Sequence, residues 1–139
     1  MIPVNSKISE DKVYLKHSFK VEKNDIDTLN HVNNIAYLKW VQDISEMHWN
    51  TLASKEIKES CIWVVLRHEI DYLNQAYDND LISCYTWIEK NEGVKSIRIV
   101  HIYCNEKLLA KSRTTWCLLD AKSLKPKRIT KEIMELFIK

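Results

Sequence analysis

The sequence predicts an α+β fold in which a curved antiparallel five-stranded sheet wraps around one long central helix, as a single domain over residues 1–139. Three observations predict it. One segment carries a long apolar stripe at helical period, five segments alternate or run apolar as strands do, and the last four strand segments are joined largely by short turns. Short turns place strands antiparallel to their neighbours, and one helix cannot cover both faces of a sheet, so the sheet must curl around it.

The elements follow in order. Lys12 to Val21 is a first strand, with Val13, Leu15, His17, Phe19 and Val21 on one face at period two. Glu22 to Asn34 is a polar loop. From Ile35 to about Lys55 the period changes, and Tyr37, Val41, Ile44, His48 and Leu52 recur at i, i+3/i+4 with Trp40 and Met47 beside them. Asn33 or Asn34 is its N-cap, because a short amide side chain can accept from the first free helix N–H groups. Cys61 to Tyr72 is a strand. Asp80 to Lys90 is another, with Leu81, Ser83, Tyr85 and Trp87 opposite Ile82, Cys84, Thr86 and Ile88. Asn91-Glu92-Gly93 turns the chain into Val94 to Cys104, and Asn105-Glu106 turns it into Lys107 to Asp120. Pro126 sits in a basic loop, and Thr130 caps a short closing helix to Phe137.

Composition excludes several classes of function. Hydrophobic residues are 45% and charged residues 29%, and the net charge of +2 asks for neither nucleic acid nor an anionic membrane surface as partner. The N-terminal stretch from Met1 to Glu10 has no apolar signal core, and the longest apolar run, Cys61 to Leu66, is far short of the roughly 20 residues of a membrane span. Cys61, Cys84, Cys104 and Cys117 fall in apolar or alternating segments and are expected as free thiols, in keeping with a reducing cytoplasm. No cysteine or histidine spacing suggests a metal, and no cofactor is expected. Gly93 is the only glycine. Dinucleotide-binding loops, phosphate loops and nucleophile elbows each need several, so those enzyme classes drop out.

Chemistry concentrates in Asn24-Asp25-Ile26-Asp27-Thr28-Leu29-Asn30-His31-Val32-Asn33-Asn34, directly before the helix. Helix N-termini offer N–H groups without intrahelical partners and a dipole that favours negative charge. Such a place can hold a carbonyl oxygen beside a carboxylate. Asp27 is the candidate base, with closure of an Asx-turn as its structural alternative. His31 is a candidate to orient Asp27 or to bond a carbonyl, and equally a structural histidine. Asn33 and Asn34 are active-site amides or caps. Asp25 bonds local backbone. Tyr37 and Trp40 are candidates for the lining of an acyl pocket, or core. His48 reads as a satisfied core or interface histidine. Lys90, Lys95 and Arg98 flank the Gly93 turn and more basic residues follow, of which Lys125, Lys127 and Arg128 are the candidates to bind a phosphate-bearing or acidic group.

The chain resembles the hotdog-fold thioesterases of the 4-hydroxybenzoyl-CoA and acyl-ACP thioesterase-like group. Asp25-Ile26-Asp27 and His31-Val32-Asn33-Asn34-Ile35-Ala36-Tyr37 look like that group's D-x-D-x-x-x-H-V-N-N-x-x-Y segment, and Ile70-Asp71-Tyr72 through Asp78-Asn79-Asp80-Leu81 looks like its entry into the next strand. Leu119-Asp120 with Lys125 to Ile129 also looks familial. The resemblance spans about Lys12 to Phe137. It implies a hotdog fold, a homodimer or tetramer with the site at the subunit interface, Asp27 as the catalytic carboxylate, and His31 beside it. It also implies acyl-CoA or an acyl-carrier protein as substrate, with water activation by Asp27 and main-chain amides around Val32 to Asn34 as the oxyanion site. Leu29 stands where the acyl-ACP branch has an asparagine, Asn74 where it has an acid, and the usual loop glycine is absent. These departures favour the Asp-centred mechanism over a plant-type acyl-ACP one. Two other functions remain open: a hotdog hydratase or dehydratase using His31 as base, and a non-catalytic acyl-CoA-binding module.

Overall fold

The central helix α1 runs from Asn34 to Leu52. It starts where Asn33, in extended conformation, accepts the Ile35 N–H on its side-chain oxygen at 3.0 Å. Such a cap is worth about 1 kcal/mol. Ala36, Tyr37, Trp40, Val41, Ile44, Ser45 and His48 form its buried face. Met47, expected beside the apolar stripe, is 36% exposed. The computed structural model describes residues 7–139; residues 1–6, which open the N-terminal stretch read above as lacking a signal core, lie outside them.

Around α1 lies an antiparallel sheet of five strands: β1 (Leu15–Lys20), β2 (Cys61–Tyr72), β3 (Leu81–Glu92), β4 (Lys95–Cys104) and β5 (Lys107–Asp120). Their spatial order is β1-β3-β4-β5-β2, so β1 and β2 are the edges. Gly93 and Asn105, both at positive φ, make the two tight turns that join β3 to β4 and β4 to β5. Residues 73–80 are different. They carry the chain from the β2 edge to β3, three strand positions away, roughly 14 Å at the usual strand spacing.

Register puts Cys84, Thr86 and Ile88 of β3, Arg98, Val100 and Ile102 of β4, and Ala110, Ser112 and Thr114 of β5 on the concave face toward α1. Of these, Cys84, Val100, Ile102 and Ala110 join Val41, Ile44 and Trp40 in the main core. Tyr85, Trp87 and Tyr103 form a separate aromatic cluster on the opposite face. A second apolar cluster, with Cys61, Ile88, Leu118 and Phe137, closes the far end of α1. Here a short helix α3 (Lys131–Glu135) packs, capped by Thr130 as expected.

Several bounds differ from expectation: β3 runs on to Glu92 beyond Lys90, and α3 ends at Glu135 before Phe137. The helix α1 ends at Leu52, not Lys55, because Ser54 caps a separate short helix α2 (Lys55–Ser60) by accepting the Ile57 N–H at 3.2 Å. The first strand is shorter at its start, from Leu15 instead of Lys12. All four cysteines are free; Cys61, Cys84 and Cys117 are buried and Cys104 is half-buried. Among the described residues no helix is long and apolar enough to cross a membrane.

Candidate active site

The polar loop before α1 is tied into one shape by its own main chain. The Glu22 N–H donates to Asp25 Oδ2 at 3.0 Å, which closes a 3-10 turn over Lys23–Asp25. Ile26 and Val32 then pair as an isolated bridge. Inside that bridge the Asp27 N–H donates to the His31 carbonyl at 2.8 Å. Asn30 turns the chain at φ 66, a left-handed conformation that asparagine tolerates better than most residues.

Asp27 sits at the centre of this turn. Its Oδ1 accepts the Leu29 N–H at 2.9 Å and the His31 N–H at 3.3 Å. Oδ2 accepts from no described residue. One oxygen therefore fixes the carboxylate and the other is free to act. The His31 ring makes no hydrogen bond or ion pair with Asp27 among the described residues; it stands edge-on to Tyr77, ring centres 5.5 Å apart.

The amides expected around Val32 to Asn34 are mostly committed. Val32 N–H donates to the Ala76 carbonyl at 2.9 Å and Asn33 N–H to the Asp25 carbonyl at 2.7 Å, because the loop must be anchored to 73–80 and to its own 3-10 turn. Asn34 N–H, in the first helical turn, makes no such bond among the described residues. Asn33 spends its side-chain oxygen on the helix cap. Asn34 is exposed.

The remaining candidates fall elsewhere. Tyr37 and Trp40 are 2% and 5% exposed and belong to the main core, with ring centres 5.1 Å apart. Burial pushes the Tyr37 hydroxyl up to about 12, so it stays protonated at neutral pH. Asn74, where the acyl-ACP branch carries an acid, donates from Nδ2 to the Leu108 carbonyl at 2.7 Å and anchors the loop. Lys125 and Arg128 are exposed and Lys127 half-buried, in the segment where Pro126 bridges Leu119 near the end of β5. The Asp27 loop abuts the start of β5, through Ala76, Asn74 and Leu109. Ten strand residues separate Leu109 from Leu119, about 33 Å of rise. Within one chain, then, the basic cluster and Asp27 occupy opposite ends of the sheet.

A cavity of about 540 Å³ lies between the second half of α1 and the concave face. Trp49, Cys61, Trp63, Arg98, Trp116 and Phe137 are among its walls. None of these was a candidate lining residue. Arg98, expected at a basic strand rim, is in fact 5% exposed and turned inward. It shares a strand face with Ser96 and Val100, both buried.

In fold, the chain is similar to the probable thioesterase of Bartonella henselae (21% identity, 85% of this chain and 100% of that one, TM-score 0.75). It is equally similar to a Thermus thermophilus thioesterase complexed with coenzyme A and Zn (20%, 87% and 89%, 0.77) and to a 1,4-dihydroxy-2-naphthoyl-CoA thioesterase from Synechocystis (15%, 89% and 95%, 0.77). No curated protein matches the chain in sequence. Residues 12–137 match the model of the acyl-ACP thioesterase N-terminal domain family, so the chain belongs to that family, and its fold is the hotdog fold of the thioesterases.

Proposed function

We propose that this chain hydrolyses acyl-CoA thioesters, with Asp27 as general base, and that it works as a homodimer paired through β2. The observation that carries the reading is the Asp27 carboxylate, pinned on Oδ1 by two main-chain amides and free on Oδ2 at the mouth of α1. Oδ2 takes a proton from a water molecule as its oxygen attacks the thioester carbonyl carbon. Negative charge moves to the carbonyl oxygen, where the Asn34 N–H and the positive end of α1 stabilise it. Collapse breaks the carbon–sulfur bond, and the proton on Asp27 passes to the departing thiolate. His31 flanks the carboxylate, and the side chain of Asn34 lines the mouth. The Thermus neighbour's coenzyme A supports CoA as the carrier. Free cysteines fit a reducing cytoplasm.

The dimer follows from the edge of the sheet. β2 is twelve residues long, and Ile62, Leu66 and Tyr72 on it are 40%, 54% and 45% exposed. A long edge with exposed apolar residues is a template for pairing with another strand. Antiparallel pairing of two β2 strands about a dyad between Leu66 and Arg67 brings Tyr72 of one protomer against the partner's Cys61. Tyr72 marks the mouth of α1, since its hydroxyl donates to the Asn34 carbonyl at 3.4 Å. Cys61 lines the large cavity. Each Asp27 thus opens onto the cavity of its partner and onto the partner's Lys125, Lys127 and Arg128, which suit the phosphates of CoA. Tyr37 and Trp40 then support the mouth from behind.

Release of free thiol from a panel of acyl-CoAs tests the assignment. Acyl-CoA binding with no thiol released would overturn it in favour of a binding module, and loss of an enoyl chromophore without thiol would favour a hydratase. Turnover confined to acyl-carrier protein would replace the carrier and leave the chemistry.

A further inference from the structure

We propose that the large cavity binds a carboxylate at the far end of the acyl group, and that Arg98 is the residue that recognises it. The inference rests on the thioesterase reading for the word acyl, but the binding site stands on its own geometry.

Arg98 is a buried cation with no anion. Among the described residues six ion pairs form, and Arg98 is in none of them. Its Nη1 donates to two neutral acceptors, His48 Nδ1 at 2.9 Å and Thr86 Oγ1 at 3.0 Å. The Phe137 ring lies 5.6 Å from the guanidinium carbon. Those contacts use both hydrogens of Nη1, and Nη2 and Nε have no acceptor among the described residues. They belong to a side chain that lines the cavity.

His48 cannot supply the missing charge. Accepting from a cation on Nδ1 places its own proton on Nε2. Burial and the neighbouring Arg98 push its pKa down to about 3, so it is neutral. Burial pulls the Arg98 guanidinium down to about 9, which still leaves it protonated at neutral pH. A buried charge without a partner is costly, and a ligand that neutralises it recovers that cost.

The same wall holds a second spare donor. Trp116 Nε1 is buried without a partner. The two carboxylates at the rim do not meet the need: Asp43 is engaged by Lys39 at 2.8 Å, and Glu46 points from the exposed side of α1. Trp49, Trp63, Ile88 and Phe137 give the wall an apolar and aromatic side, while Gln42, Ser45, Asn50, Lys58 and Ser96 line it with polar groups. The cavity therefore offers spare donors beside an aromatic and apolar side, the complement of a hydrocarbon or ring that ends in a planar acceptor. A carboxylate matches the fork of a guanidinium in two parallel hydrogen bonds.

The test compares adipoyl-CoA with hexanoyl-CoA, two six-carbon acyl groups that differ in the terminal carboxylate. Wild type is expected to favour adipoyl-CoA by about 100-fold in kcat/KM, since a site built around spare donors rejects an analogue that cannot pair them. Arg98→Met is expected to reverse the preference. Equal or better use of hexanoyl-CoA by the wild type would overturn the proposal and leave the hydrolase standing. A second measurement needs neither catalysis nor a variant: three indoles line the cavity, so hexanoate titrated into wild type should change tryptophan fluorescence and hexanamide should not. Hexanoate binding without any thioester turnover would uphold the cavity and sink the hydrolase. Equal response to both compounds would overturn the carboxylate site.

Discussion

Asp27 and His31 are joined twice through the main chain: the Asp27 N–H donates to the His31 carbonyl at 2.8 Å, and the His31 N–H returns to Asp27 Oδ1 at 3.3 Å. The same carboxylate therefore builds the loop and, in the proposed reaction, acts as base, and the two roles separate by substitution. Asp27→Asn keeps an acceptor on the side chain but removes the base. It should melt close to wild type while thiol release from acyl-CoA falls about 100-fold or more, the usual contribution of general base catalysis. Asp27→Ala should lose activity and also melt lower. Full turnover in the Asn variant would leave Asp27 only its structural role.

Asn33 is assigned to the helix start. Asn33→Ala should cost about 1 kcal/mol in urea unfolding, and Asn33→Asp should restore it, since either side chain can accept the Ile35 N–H. A neutral Ala variant would contradict the cap.

Acid should loosen the fold through His48. Its folded pKa is depressed to about 3 from an ordinary 6.5. Between those values the unfolded chain binds a proton that the folded chain refuses, so stability is full above pH 6.5 and falls as pH drops below it. From pH 7 to pH 5 this one group should remove about 2 kcal/mol. His101, held at about 4 by burial and by Lys111, and His68, lowered by burial, push the same way. Thermal melting at pH 7 and pH 5 should show the decline, and His48→Gln should flatten it. A melting temperature unchanged across that range would remove His48 from the account.

The proposed β2 pairing would place Leu66 near the dyad. Leu66→Glu sets two like charges against each other there, and sedimentation should show monomer. Thiol release should fall with it, because each Asp27 would lose the partner's cavity. A monomer of full activity would disprove a shared site, and an undisturbed dimer would move the interface elsewhere.

Much of the fold was legible because local spacing carries it. The helical stripe through Tyr37, Val41, Ile44 and His48, the turns at Gly93 and Asn105, and the Thr130 cap each depend on residues a few positions apart. The strand β2 begins and ends where its apolar run and flanking polar residues say it should. Arg98 was not legible in the same way. A basic residue near a turn reads as solvated, and only its pairing opposite Ile88 and Thr114 turns it toward α1.

The sequence by itself determined that a carboxylate, a histidine and a capping asparagine stand together before one long helix, because adjacency in the chain guarantees adjacency in space. Tertiary structure alone decided which amides remain free, since Val32 donates to Ala76 and Asn33 to Asp25 across a folded loop. It alone decided that Lys125, Lys127 and Arg128 stand far from Asp27 in the same protomer, and that a lone guanidinium faces a cavity. Those are relations between strands, set by sheet order and register, and no local spacing encodes them.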